Sequence, residues 1–199
     1  MKRLCLLLLV VLLPMVASAY DAYINGIYYN FDKTTKTAEV TWRDLNDSNQ
    51  NAYSGTLEIP STVNYNVEEY SVTSIARETF KRCPNLLSIS IPNSITNIGG
   101  NAFDETGWYN NQPDGILYLD NWIIDCKGEK PIGSISITEG TRGIAEYAFY
   151  CSSYLTKITI PNSVMYIGTR AFEGCYSLKS AIIPISVKTL GNFIFFSLY

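Results

Sequence analysis

"LTKITIPNSVMYIGTRAF" occupies residues 155–172, residues 86–103 read "LLSISIPNSITNIGGNAF", and ten of the eighteen positions are identical. A phenylalanine closes each copy. It recurs at Phe80, Phe103, Phe149, Phe172 and Phe195, with spacings of 23, 46, 23 and 23. A second marker is the isoleucine that ends the apolar run before a proline. It falls at Ile59-Pro60, Ile91-Pro92, Ile160-Pro161 and Ile183-Pro184, with Ile137-Thr138 in the same register, and its spacings are 32, 46, 23 and 23. Two markers with one period make internal repetition the first fact about the fold. The longer first gap holds an insert around "TVNYNVEEY" at 62–70, and the gap of 46 is a double-length unit.

Within a unit the pattern changes twice. "LTKITIP" alternates apolar and polar residues, so Leu155, Ile158 and Ile160 belong to the inner face of a short strand and Thr159 to the outer. Pro161 cannot donate to a ladder and starts a turn. "SVMYIG" is a second extended stretch, and its glycine is read as permitting a positive φ. "TRAFEGC" reads as a short helical turn with Ala171 and Phe172 inward. One such unit cannot bury its own apolar face, so neighbours must stack, and the expected form is a solenoid of about 23 residues per repeat.

The unit L-x-x-I-x-I-P-x-S-V-x-x-I-G-x-x-A-F-x-x-C resembles the BspA-like class of leucine-rich repeat, over about residues 53–199. The resemblance implies an α/β fold, strand-rich with short helical turns. It also implies a secreted or cell-surface protein of the kind found in anaerobic bacteria, non-catalytic, that adheres to host or neighbouring-cell macromolecules. Thr138 in place of proline, Ala181 in place of a core isoleucine, and the ending "NFIFFSLY" depart from the pattern.

Residues 20–52 do not repeat. "INGIYYNF" and "TAEVTW" are strand-like and Asn25-Gly26 signals a hairpin turn, so a β-rich N-terminal cap is expected there. The alternative is an aromatic binding patch of Tyr23, Tyr28, Tyr29 and Trp42. Residues 104–131 fill the double-length unit, and "ILYLDNWIID" reads as a hairpin about Asp120-Asn121. Ahead of all this, Lys2 and Arg3 precede an apolar run from Leu4 to Val16 and then "ASA" at 17–19, the pattern of a secretory signal peptide cleaved after Ala19. The run is too short to span a bilayer comfortably, so no membrane span is expected once the signal is removed. By register the last repeat leaves its strand edge uncovered, and self-association through that edge is expected.

Composition narrows the function. After loss of the signal, 13 basic residues face 18 acidic ones, a net charge of −5, with no basic run for nucleic acid. The chain has no histidine, which removes every Ser-His-Asp, Cys-His and His-ligated metal arrangement. Asp104, Glu105, Asp120, Asp125, Glu139, Glu146 and Glu173 share no repeat position, so no carboxylate pair for glycoside hydrolysis is legible. No enzyme, cofactor or metal is expected.

Two surfaces are candidates for binding an extracellular protein or glycoprotein, or a glycan. The outward strand positions are Thr56, Glu58, Ser88, Ser90, Ser134, Ser136, Lys157, Thr159, Ser180 and Ile182. The second is the insert, where Trp108, Tyr109, Asn111, Gln112 and Trp122 offer aromatic rings beside amides, a mixture suited to sugars or peptides. A third reading is a structural spacer with no ligand. Cys83, Cys151 and Cys175 follow the marker phenylalanines and are expected as a buried small-residue ladder. In an oxidising compartment the alternative is a disulfide between Cys151 and Cys175.

Overall fold

The computed structural model describes residues 20–43 and 52–195, so the expected signal peptide and the last four residues lie outside the described residues. Described strands begin with β1 (Ala22–Ile24), β2 (Ile27–Asp32) and β3 (Thr37–Thr41), and continue with β4 (Gly55–Glu58), β5 (Thr62–Tyr65), β6 (Glu68–Ile75), β7 (Leu86–Ser90) and β8 (Asn97–Ile98). The one described helix is α1 (Gly107–Asn110). After it come β9 (Gly115–Leu119), β10 (Trp122–Lys127), β11 (Gly133–Ser136), β12 (Gly143–Ile144), β13 (Leu155–Thr159), β14 (Tyr166–Ile167), β15 (Ser180–Ile182) and β16 (Thr189–Leu190). The chain is therefore strand-rich with almost no helix, which corrects the expectation of helical turns in each unit.

The first three strands are antiparallel. Asn25 (φ 50°) and Gly26 (φ 87°) make the two-residue turn that sets Ile24 opposite Ile27. β3 then pairs in parallel with β6, so this sheet joins the first repeat. The nine-residue insert is a hairpin, β5 on β6, turning at Asn66 and Val67, both with positive φ. Phe31 stacks on Tyr65 of this hairpin at 4.4 Å. Of the alternative aromatic patch, Tyr28 and Tyr29 are buried, Trp42 is half-buried and only Tyr23 is exposed. Those rings pack.

In the repeats, parallel pairing follows the period. Ser134 pairs Lys157, which pairs Ser180, and Gly143 pairs Tyr166, which pairs Thr189. The first strand of each unit makes one ladder (β4–β7, then β11–β13–β15), and the short second strand makes another (β6–β8, then β10–β12–β14–β16). The double-length unit interrupts both, and its antiparallel hairpin β9–β10 supplies the strand against which β12 pairs.

A third ladder runs along the "AF" segments. The Phe80 N–H donates to the Ala102 carbonyl (2.8 Å), that of Phe149 to Ala171 (2.8 Å), and that of Phe172 to Ile194 (3.0 Å). These segments are turns because a left-handed residue stands two before the phenylalanine in all five and another two after it in the four where that position is described. Glu78, Asn101, Tyr147, Arg170 and Phe193 are the first, and Arg82, Glu105, Cys151 and Gly174 the second. A left-handed residue ends helical winding. The marker phenylalanines stack inward: Phe80 on Phe103 (5.4 Å), Phe149 on Phe172 (5.1 Å) and Phe172 on Phe195 (5.4 Å).

The glycine of "YIG" serves a different purpose from the one its sequence suggests. Gly99, Gly168 and Gly191 do not have positive φ. A Cβ on them would lie 2.4 Å from the backbone nitrogen of Arg77, 2.5 Å from that of Glu146 and 2.3 Å from that of Thr169, respectively. Close approach of successive backbones, not turn geometry, demands glycine there.

The cysteine expectation is corrected in register. The buried position is three after the phenylalanine, and it holds Cys83, Thr106, Ser152 and Cys175. Cys151 sits one residue earlier, left-handed and exposed. No disulfide joins the four described cysteines, Cys151 and Cys175 included.

Candidate functional site

Parallel pairing carries the outward strand residues into two exposed patches. On β11, β13 and β15, Ser134, Lys157 and Ser180 form one row and Ser136, Thr159 and Ile182 the next, while Ile135, Ile158 and Ala181 turn toward the core. On β4 and β7, Thr56 pairs Ser88 and Glu58 pairs Ser90, all exposed. Period-2 alternation puts these residues outward because their neighbours Leu57, Ile89, Ile135 and Ile158 pack inward. In the larger patch Ile182 is 82% exposed at a position that holds Ser136 and Thr159 in the preceding strands. Ile185, beside it in sequence, is fully exposed. Sequence reading placed Ile182 on the outward face but grouped it with small hydroxylated residues; in "SIT", "TIP" and "IIP" its row reads Ser136, Thr159, Ile182, while Ile185 lies in the turn beyond β15.

The insert residues assemble differently. Trp122 is 1% exposed, stacked on Tyr166 with ring planes 7° apart at 5.9 Å. Gly143 makes room for it, since a Cβ there would fall 2.5 Å from the Trp122 ring. Trp122 is core and offers no face to a ligand, which corrects its place among the candidate binding residues. Trp108 is half-buried, edge-on to Phe103 at 5.7 Å. The Tyr109 hydroxyl donates to Asp125 Oδ2 (2.7 Å), and burial together with the Asp125 carboxylate pushes the phenol well above its ordinary range. Gln112 Nε2 donates to the Trp108 carbonyl (3.2 Å), and Lys127 Nζ donates to the carbonyls of Tyr109 and Asn110, both at 3.0 Å. These polar groups close the end of α1 on itself. Asn111 is exposed. The five residues do not share one stacking face.

Asp104, Asp125 and Glu146 line one small hollow. Asp104 is the one shifted acid in the insert, with its carboxyl pushed up to about 6 by burial and then by Asp125. Among the described residues no group of three or more His, Cys, Asp or Glu is placed to hold a metal ion. No described helix is long and apolar enough to cross a membrane.

A family model for the BspA type leucine rich repeat region matches six copies over residues 27–112 and 126–199. Solved structures similar to this chain include a leucine-rich repeat protein from Bacteroides ovatus, 26% identical at a TM-score of 0.36, covering 88% of this chain and 50% of that one. A leucine rich cell surface protein from Faecalibacterium prausnitzii is 19% identical at a TM-score of 0.37, with coverage of 85% and 50%. The pneumococcal vaccine antigen PcpA is 21% identical at 0.39, with coverage of 89% and 47%. The chain thus spans about half the length of these three proteins. No curated protein matches it.

Proposed function

From the premise that this chain belongs to the BspA-type leucine-rich-repeat family, we propose that it is a non-catalytic, secreted or cell-surface module. In this reading it adheres to an extracellular protein or glycoprotein through the outward face of β11, β13 and β15. The strands of 20–52 cap a solenoid of 23-residue repeats, and the leader is removed after Ala19.

One observation supports this face above the others: Ile182 stands 82% exposed in the row of Ser136 and Thr159. An exposed isoleucine on a hydrogen-bonded sheet loses little entropy on docking and contributes apolar area that the neighbouring serines lack. Lys157, exposed in the adjacent row, supplies a charge that sets orientation and encounter rate more than affinity. Parallel pairing keeps the strands rigid, so the patch is ready before the partner arrives. The absence of histidine fits a binding role. The burial of Trp122 and the internal bonding of Tyr109 and Gln112 weigh against a sugar site on those residues.

An array of extracellular-matrix proteins, mucins and polysaccharides probed with the chain and its Lys157→Glu variant tests the reading. Retention of a protein by the parent, with slower capture by the variant, supports it. Retention that ignores Lys157→Glu but falls with Thr56→Ala/Ser88→Ala would move the site to the other patch.

A further inference from the structure

We infer that the cleft between the β9–β10 hairpin tip and the corner after β11 is a binding site for a neutral saccharide. This is a second site, separate from the strand face. It is an open hollow of about 350 Å³ between Tyr118, Asp120 and Asn121 on one side and the corner 138–141 on the other.

The corner residues point to this place. After the first strand, three of the other units turn through Pro92-Asn93-Ser94, Pro161-Asn162-Ser163 and Pro184-Ile185-Ser186, and the first through Pro60-Ser61-Thr62. The serine is structural: Ser94 Oγ donates to the Val72 carbonyl (2.6 Å) and Ser186 Oγ to that of Val164 (2.9 Å), each tying its corner to the preceding repeat. Only the corner that faces the insert reads Thr138-Glu139-Gly140, and it gives up both the proline and the serine. The substituted residues are the ones that line the cleft.

Both walls are held in place. The Ile91 N–H donates to Asp120 Oδ2 (2.9 Å), Asn121 Nδ2 to Asn93 Oδ1 (3.2 Å), and the Arg142 N–H to the Asn121 carbonyl (2.7 Å). Opposite, the Gly140 N–H donates to Ser163 Oγ (3.1 Å), and Thr141 Oγ1 to the Thr138 carbonyl (2.7 Å). A cleft fixed by its own hydrogen bonds asks for little ordering when a ligand enters.

The lining chooses the ligand class. Asp120, Glu139 and Asn121 bring acceptor oxygens to the lining, and Asn121, Thr138 and Tyr118 bring donors, the Tyr118 hydroxyl also accepting from the Thr138 N–H (3.4 Å). Vicinal hydroxyls of a sugar donate in pairs to a carboxylate and accept from amide or hydroxyl, and the sugar's ring carbons can lie against the exposed part of Tyr118, whose ring is otherwise packed on the core. A cation is a poorer fit. An ammonium would leave the Asn121, Thr138 and Tyr118 donors unused, and its pairing with an exposed carboxylate is screened by salt.

Saturation-transfer NMR on the full chain with neutral oligosaccharides at about 10 mM, enough to occupy a millimolar site, is the experiment. Expected is transfer to sugar ring protons that falls about tenfold in Glu139→Ala, weakens in Tyr118→Phe, persists in Trp108→Ala and survives 0.5 M salt, a loss equal to about 1.4 kcal/mol. Glu139 is exposed, so its variant keeps the fold. No transfer from any neutral sugar overturns the inference. So does transfer that Glu139→Ala leaves intact, or that appears only with amine-bearing ligands and vanishes in salt.

Discussion

Phe149 and Phe172, 23 positions apart, stack with ring centroids 5.1 Å apart and planes 18° from parallel. Phe172 is the middle ring of three, because Phe195 stacks on its other face at 5.4 Å. Each ring therefore fills the space under the next repeat. Phe172 is 1% exposed and Phe195 is 47% exposed. Truncating Phe172 to alanine should cost about 3–5 kcal/mol, and Phe195→Ala far less. Urea unfolding of both variants checks this, and equal losses would refute the stacking account.

Gly168→Ala should destabilise by about 1–3 kcal/mol, the range for overpacking, because the new methyl would meet the Glu146 backbone nitrogen at 2.5 Å. Gly100→Ala should cost less, since its nearest atom, at 2.6 Å, belongs to the Tyr147 side chain, which can turn. Thermal melting of the pair distinguishes close approach from a generic intolerance of alanine.

Asp104 gives stability a pH dependence of known sign. Its folded carboxyl is raised to about 6, first by burial and then by Asp125, from the ordinary aspartate value of 3.8. Between those two pH values the folded chain holds a proton that the unfolded chain has released, so this group's contribution falls as pH rises from about 4 to about 6 and is level above. Relative to the parent, Asp104→Asn should therefore be more stable at pH 7 than at pH 4. Chemical denaturation of both chains at the two pH values measures the difference. A variant whose advantage is larger at pH 4 would reverse the sign.

Cysteine labelling reads the register of the turn ladder. Cys83, Cys126 and Cys175 are buried, and burial pushes the thiols of Cys126 and Cys175 up to about 12 and about 11. Cys151 is exposed one residue before the ladder position. Under reducing, native conditions iodoacetamide should modify Cys151 first, with the other three protected until unfolding. Mass spectrometry of the peptides decides it, and early labelling of Cys175 would contradict the placement.

The repeat was legible because two markers, the phenylalanine and the Ile-Pro pair, carry one spacing through different parts of the unit. What the markers could not convey was local backbone conformation. "TRAFEGC" has helical composition, yet Arg170 and Gly174 are left-handed and break the winding. Left-handed residues that are not glycine, such as Tyr147 and Cys151, leave no sign in the sequence. The glycine of "YIG" was visible, but its cause lies in a backbone from another repeat. Trp122 was misplaced because burial in an insert depends on what the insert packs against, here Tyr166. The outward strand residues, Ile182 included, were legible in position through period-2 alternation, whereas the contrast of Ile182 with the Ser136 and Thr159 beside it emerged only once β15 was set beside β13.

The affinity of Ile182→Asp for whichever matrix protein the parent retains, measured by interferometry beside Tyr109→Ala, tests the proposed binding face most directly. The account predicts about a tenfold loss, or about 1.4 kcal/mol, for Ile182→Asp and none for Tyr109→Ala. Unchanged binding by a folded Ile182→Asp chain, or a loss confined to Tyr109→Ala, would contradict it.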